Sequence, residues 1–286
     1  MTVPITRAPD VSDLIARGVK PRRYGSWYVA EHRIRAMRAY AQTLIATSIG
    51  NPLIYLFALG VGLATLVDGG SGAGGSGVNE LGAVSYLVFV APALLGLAAV
   101  MVAAEEFTYP MLMGFKWNPI FFAMNAAPIT GNQIVTGIYI AVVVRMLPTL
   151  LLYFVVMLLF GAVPLLTGIL IVPIALLVAM SIGIVISSYT AGIENDTSQM
   201  ALIMRFGVTP ILLFSGTFFP LTQLPIWLQW IGWISPLWHG TELGRVVSYG
   251  MSEPLWLSAV HILYPLALVI VFWRKTQRVV TKRLNK

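Results

Sequence analysis

The chain has 286 residues, of which 58% are hydrophobic and only 10% are charged, and its mean hydropathy is +0.83. Because a soluble domain carries about 25% charged residues, this chain is too poor in charge to be soluble and is expected to lie in a membrane. It has no cysteine, which excludes disulfides, cysteine-ligated metals and thiol nucleophiles.

The formal charge of +7 is concentrated at the two ends of the chain. Of the 18 lysines and arginines, eight precede the first long apolar segment and six follow the last. By the positive-inside rule, both termini are expected to be cytoplasmic. We interpret the positive charge as a sign of orientation and of contact with membrane lipids, and we expect no nucleic-acid partner.

The predicted elements begin with a short amphipathic helix after a cytoplasmic tail over residues 1–23. Residues 24–40 combine aromatic and apolar side chains, at spacings of three and four, with Arg33, Arg35 and Arg38. This pattern is typical of a basic helix that lies in the membrane interface. A frayed basic tail is the alternative.

Six apolar segments follow, each close to the length of about 20 residues that a transmembrane helix needs. They are Leu44–Leu66, Ala83–Ala104, Gln133–Phe160, Leu165–Tyr189, Ala201–Phe219 and Leu255–Trp273. An even number of spans places both termini on one side, in agreement with the charge distribution. The sequence therefore predicts an all-α, multi-pass integral membrane protein, with six helices over residues 41–274 and a basic cytoplasmic tail over 275–286.

The connections between these segments differ in character. Residues 68–77 are glycine and serine rich, which indicates a flexible external spacer. Residues 105–132 form the largest cytoplasmic loop. Residues 219–254 are apolar but interrupted by prolines, and they contain four of the eight tryptophans. We expect short re-entrant helices there, on the outer side and before the last span.

Charged residues within the predicted spans are few, and Arg145 is the deepest. It falls near the middle of the third span, where an unpaired charge costs at least about 2.5–3.5 kcal/mol. Arg145 is therefore either a functional residue or the partner of a buried carboxylate such as Glu105 or Glu242. Glu105 and Glu106 follow the second span, and we expect them to be solvated carboxylates or docking contacts.

The outer region carries a second polar group of residues. Three of these residues recur every three positions and share one helix face: His239, Glu242 and Arg245. The pattern predicts either a polar cluster at the outer mouth of a pathway or a row of charged side chains that pair with each other. His261 is expected to be a hydrogen-bonded packing residue. The three histidines show no metal-ligand spacing, so no metal site is predicted.

The layout and two longer motifs resemble the permease subunits of type-2 ATP-binding-cassette exporters, in the branch of the nodulation-factor and daunorubicin exporters. One motif is EEFTYPMLMGFKWNPIFFAMNAAPITGNQIVTG, residues 105–137, and the other is FSGTFFPLTQLPIWLQWIGWISPLWHGTELGR, residues 214–245. The chain departs from the usual pattern of this family at residues 108–110 and 116–119, which leaves the register of the family's coupling helix open by several residues.

The resemblance implies a coupling helix that docks on a separate nucleotide-binding subunit. The residues of this contact would be Gly114, Phe115, Lys116, Trp117, Pro119, Ala127, Pro128, Ile129 and Thr130. The chain has no GxxxxGK[ST] motif, so it is expected to bind no cofactor itself and to have no catalytic site. ATP and Mg²⁺ would lie on two copies of the partner subunit, and a second permease, identical or homologous, would complete the pathway.

The resemblance also implies a pathway for an amphipathic, lipid-linked or glycolipid molecule, or a hydrophobic drug, that leaves the cytoplasmic side. Its lining or gate would include Arg145, Phe214, Phe218, Phe219, Pro220, Trp227, Trp238, His239, Glu242 and Arg245. The alternatives are a membrane enzyme that modifies lipids, which would need a polar catalytic cluster on one face, and an ion-driven carrier, which would need paired charges in several spans.

Overall fold

The computed structural model describes residues 10–63, 84–195 and 198–286, and within these ranges every regular element is helical. The predicted glycine-rich spacer and the first nine residues of the predicted tail lie outside the described residues. The first seven α-helices are α1 Val11–Met37, α2 Ala41–Tyr55, α3 Tyr86–Phe115, α4 Ile120–Ala126, α5 Gly131–Leu159, α6 Leu165–Gly168 and α7 Ile171–Thr190. The remaining five are α8 Gln199–Leu202, α9 Thr209–Phe214, α10 Ile226–Ile234, α11 Pro236–Tyr249 and α12 Leu255–Leu284. A 3-10 turn joins α1 to α2, and another, Leu221–Gln223, precedes α10.

Five helical stretches in the described ranges are long and apolar enough to cross a membrane. They are Arg22–Leu59, Tyr86–Phe115, Gly131–Leu159, Leu165–Thr190 and Leu255–Leu284. The fifth predicted span, Ala201–Phe219, corresponds to a shorter apolar helix, Gln199–Phe214. We predicted that this span would end at Phe219, but the helix ends five residues earlier because Gly216 adopts a left-handed backbone (φ 69°). Within the described residues, five helices therefore have the length and composition of a membrane span, and the fifth predicted span is represented by this shorter helix.

Two of the apolar stretches contain π-helical segments. The segment Leu56–Leu63 continues α2, and the segment Ile203–Val208 joins α8 to α9. A π-helical segment widens the turn and breaks the regular i to i−4 hydrogen bonding, and such segments occur often at functional sites.

The centre of the bundle is the contact between α3 and α7. A Cβ atom on Gly183 of α7 would overlap the ring of Phe107 on α3, so the missing side chain permits this close approach. Thr190 donates a hydrogen bond of 2.9 Å to the carbonyl of Phe107. Small residues commonly allow membrane helices to approach each other in this way. Both helices are largely buried inside the single chain.

The amino-terminal helix is longer than the segment 24–40 that we predicted. It begins after Asp10, a residue type favoured at helix starts. Tyr24, where the predicted helix began, has non-helical backbone angles (φ −113°, ψ 16°) and marks a kink. On both sides of the kink, α1 packs on the first turns of α5. There Gln133 donates a 2.7 Å hydrogen bond to the carbonyl of Arg22, and a Cβ on Gly137 would lie 2.5 Å from the carbonyl oxygen of Ser26.

The connections gather at two ends of the bundle. We call the end with residues 115–131, 190–195 and 281–286 the basal end, and the end with residues 159–165 and 214–255 the apical end. The last helix continues well past the predicted boundary at Trp273, because its basic residues find partners at the basal end. Arg283 donates a 2.7 Å hydrogen bond to the carbonyl of Ala191, and Lys286 pairs with Glu194.

Candidate coupling surface and polar sites

The basal connection between α3 and α5 is a short helix held against the bundle. Helix α3 ends at Phe115, and α4 begins one residue after Pro119. The rings of Phe115 and Phe121 meet edge to face, with centroids 5.0 Å apart. Gly114 is required beneath this contact because a Cβ atom there would overlap the Phe121 ring. The connection is thus fixed by its own aromatic residues.

The predicted coupling residues divide into a buried base and an exposed surface. Gly114 and Phe115 are buried and Ile129 is half-buried. The exposed members are Lys116, Trp117, Pro119, Ala127, Pro128 and Thr130. Trp117 is 54% exposed and Phe122 of α4, which we did not predict, is 43% exposed. Large aromatic side chains held in place but exposed are typical of a surface that binds another protein.

The start of α5 fixes the other side of this connection. The side chain of Thr130 accepts a hydrogen bond from the backbone N–H of Gln133, and the Gln133 side chain accepts one of 2.9 Å from the backbone N–H of Thr130. This reciprocal pair is a capping box, and it satisfies backbone donors that the first turn of a helix leaves free. We call the exposed residues Lys116, Trp117, Pro119, Phe122, Ala127, Pro128 and Thr130 the coupling surface.

Glu106 lies at the centre of a buried ion triad. One carboxylate oxygen lies 3.0 Å from Nη2 of Arg33 on α1, and the other accepts a hydrogen bond from Nη1 of Arg145 on α5. The Glu106 side chain is only 6% exposed. The expectation of a solvated carboxylate was therefore wrong for Glu106, and the partner of Arg145 is neither Glu105 nor Glu242. Glu105, one position away, is exposed.

The triad joins three elements that are far apart in the sequence. Its members come from the amino-terminal helix, from α3, which leads into the coupling surface, and from α5, which leaves it. A buried charge is tolerated where it is paired. The triad therefore ties α1 to the helix pair that carries the coupling surface.

The apical cluster is organised around Arg245, which is 1% exposed. Its guanidinium binds Glu242 at 2.8 Å, donates a 2.7 Å hydrogen bond to the carbonyl of Gly216 and lies 3.7 Å above the ring of Phe89. Arg245 thus fastens α11 to α3 and to the break after α9. Glu242 and Arg245 form an ion pair, as expected if the charged side chains of this helix face pair with each other. His239 has different partners.

A cavity of about 450 Å³ opens beside this cluster. Of the predicted pathway residues, it brings together Pro220, Trp238, Glu242 and Arg245. The indole Nε1 of Trp238 is buried and has no hydrogen-bond partner in the part of the chain that the structure describes. This volume is within the range of about 300–1,000 Å³ that is usual for small-molecule sites.

The other predicted pathway residues do not line this apical cavity. Trp227 is 68% exposed on α10, Phe219 is 36% exposed, and Phe218 packs against the core. Phe214 ends α9, and Arg145 lies in the ion triad nearer the basal end.

His239 and His261 form a hydrogen-bonded chain. Their Nδ1 atoms are 2.6 Å apart, His239 Nε2 lies 3.1 Å from the carbonyl of Trp233, and His261 Nε2 lies 3.1 Å from a carboxylate oxygen of Glu253. Burial lowers the pKa of His239, which favours the neutral form of the ring. The prediction that His261 is a buried, hydrogen-bonded residue is confirmed.

The histidine chain is not arranged as a metal site. The two nitrogens of His261 face different partners on opposite sides of the ring, so the donors do not converge on one point. Among the described residues, no group of three or more histidine, aspartate or glutamate side chains could hold a metal ion. Burial raises the pKa of Glu253, which would be a poor ligand in its protonated form.

Comparison with known proteins agrees with this layout. A family model described as "ABC-2 type transporter" matches residues 27–249. Nodulation protein J of Rhizobium leguminosarum bv. viciae is 27% identical over 240 residues, which cover 78% of this chain and 82% of the relative. Nodulation protein J of Neorhizobium galegae is 24% identical over 247 residues, covering 84% of this chain and 89% of the relative.

Proposed function

The chain belongs to the ABC-2 type transporter family as a membrane permease, and we propose that it is the membrane subunit of an ATP-driven exporter. Two copies of a separate P-loop subunit would bind ATP and Mg²⁺ and would drive the movement of the helices. In this proposal the basal end faces the cytoplasm of a bacterial cell, and both termini lie on that side of the inner membrane.

The observation that carries the proposal is the coupling surface. It presents exposed aromatic residues on a connection that aromatic packing and a capping box hold in place. Such a rigid projection can transmit a push from a docked subunit to α3 and α5, because both helices start or end at it. The ion triad would pass part of that movement to α1.

The pathway would form between two permease subunits. Helix α2 with its π-helical continuation Leu56–Leu63, and the segment Gln199–Phe214, expose large apolar side chains, among them Ile54 (66%), Phe57 (58%) and Phe206 (75%). These two elements also contain the π-helical segments. We propose that an identical or homologous permease packs beside them and that the route runs between the two subunits.

The substrate would be an amphipathic, lipid-linked or glycolipid molecule, or a hydrophobic drug, moved from the cytoplasmic side outward. The family and the relatives named Nodulation protein J support this assignment. In this proposal the apical cavity beside Trp238 and Glu242 lies at the exit.

The test is assembly with a P-loop subunit encoded beside this chain. We expect the two proteins to co-purify in detergent as a complex with two nucleotide-binding subunits, and we expect that complex to hydrolyse ATP. A permease that migrates alone under conditions where both proteins are folded would contradict the proposal. ATP hydrolysis by the permease without its partner would contradict it as well.

A further inference from the structure

Two rows of polar side chains line one cleft within the bundle. On α2, Thr47, Asn51 and Tyr55 recur every four residues, and on α5, Arg145, Thr149 and Tyr153 do the same. Residues four apart lie on one face of a helix. The cleft between these rows has a volume of about 190 Å³, and α3 closes it with Leu97, Met101 and Glu105, among others.

Tyr153 indicates that the cleft holds a ligand. Its side chain is 1% exposed, yet its hydroxyl has no hydrogen-bond partner among the described residues. A buried polar atom left without a partner costs about 1–3 kcal/mol. A phenylalanine would fill the same space without that cost. The hydroxyl is therefore available to a partner from outside the described residues.

An apolar groove of about 280 Å³ lies next to the polar cleft. The two share Leu44, Ser48, Arg145 and Thr149, and a 2.9 Å hydrogen bond between Ser48 and Thr149 lies between them. Most of the remaining groove residues are apolar: Ile34, Met37, Ala41, Ile45, Val144, Pro148 and Leu152. A polar cleft beside an apolar groove matches the two halves of an amphiphile.

The charges around the cleft balance. Arg145 and Glu105 line it, and behind them Glu106 and Arg33 complete the ion triad. Two positive and two negative groups leave no net charge to attract an anionic or cationic head group. The remaining polar groups are hydroxyls and one amide, which both donate and accept hydrogen bonds. Arg38 also lines the apolar groove, and it is exposed.

We propose that this cleft and groove bind an amphiphile with an uncharged head group rich in hydroxyl or amide groups. The head group lies between the two polar rows, and the hydrocarbon chain lies in the apolar groove. Eight residues of helix measure about 12 Å, so the rows can hold an extended head group. The inference rests on the proposed function, because it assigns the place where one subunit takes up its substrate.

The test is photolabelling of the full chain in phosphatidylcholine vesicles with a dodecyl maltoside that carries a diazirine in its alkyl chain. We expect cross-links on the residues of the cleft and groove. Unlabelled dodecyl maltoside should suppress them, whereas dodecyl sulfate and dodecylphosphocholine should not. Failure of dodecyl maltoside to compete, or equal competition by the anionic dodecyl sulfate or the zwitterionic dodecylphosphocholine, would overturn the proposal.

Tyr153→Phe separates a binding role from a structural one. It should lower labelling about three- to tenfold, the effect of losing one hydrogen bond, while the melting temperature stays the same or rises. Thr43→Val is the matched control, because Thr43 lies one turn before Thr47 on α2 but is not part of the cleft lining. Equal labelling of Tyr153→Phe, Thr43→Val and the unaltered chain would overturn the assignment of Tyr153 and of the cleft.

Labelling is measured both with and without the P-loop subunit, which separates the two proposals. If the complex forms and hydrolyses ATP but cross-links fall outside the cleft, the binding inference is wrong and the exporter assignment stands. If no complex forms and the cleft is still labelled, the exporter assignment is wrong and the binding site stands.

Discussion

Glu106 shows how a single residue can connect the amino-terminal helix to the centre of the bundle. Its two oxygens bind two arginines from different elements, and all three side chains are withdrawn from solvent. The sequence indicated that Arg145 needed a carboxylate partner, but it could not select one. Adjacent helical residues point about 100° apart, so Glu105 and Glu106 do not both form the direct ion pair with Arg145, and the rotation of α3 decides which one does.

Glu106→Gln should destabilise the protein strongly. Removing one member of a buried ion network costs about 3–5 kcal/mol, because the remaining charges stay buried without a partner. The measurement is the melting temperature in detergent. Glu105→Gln is the control, since the neighbouring carboxylate is exposed and its loss should change the melting temperature little. Similar melting temperatures for the two variants would contradict the role of the triad.

At the scale of elements, the long helices were predictable and the helix ends were not. Hydrophobic length placed both ends of α5 to within two residues, because a membrane imposes that length. In contrast, α3 continues eleven residues past the predicted end at Ala104, into the predicted loop over residues 105–132, and α7 begins six residues after the predicted start at Leu165. The early end of α9 depends on Gly216, whose left-handed backbone reflects the local chain path. The extension of α12 depends on contacts of Arg283 and Lys286 with the basal end, which no apolar pattern records.

The sites were predictable to different degrees. The exposed coupling residues follow from the family motif. The two polar rows were not recognised in advance, although Thr47, Asn51 and Tyr55 recur every four residues in the sequence. Their significance depends on a matching row on another helix, and only the tertiary structure brings the two together.

Pro119→Glu should uncouple ATP hydrolysis from transport. Pro119 is exposed immediately before α4, and a new charge there would disturb the contact with a docked subunit. We expect normal expression. The stimulation of ATPase activity in the assembled complex should fall at least about tenfold, as for an important interface residue. Pro164→Glu is the matched control, because Pro164 is also exposed and also precedes a short helix, but at the apical end. Unchanged ATPase activity in Pro119→Glu would exclude this residue from coupling.

At the scale of the whole molecule, the charged residues at the chain ends and those inside the bundle have different roles. Most basic residues lie near the two ends of the chain, and two of them, Arg283 and Lys286, bind the basal end. The described charges inside the bundle are largely paired, in the Glu106 triad and in the Glu242–Arg245 pair. A chain of this composition has few groups left for chemistry. This composition is consistent with an energy source on another subunit, and that subunit would act at the coupling surface.

The most direct test of the exporter assignment is ATP-dependent transport by the reconstituted complex. The permease and its P-loop subunit are placed in vesicles with the nucleotide-binding face outward, together with a fluorescent neutral-headed glycolipid in the outer leaflet. The account predicts that ATP and Mg²⁺ move this lipid to the inner leaflet and that Pro119→Glu abolishes the movement. Movement that is equal without ATP, or absent from a complex that actively hydrolyses ATP with every amphiphile supplied, would contradict the account.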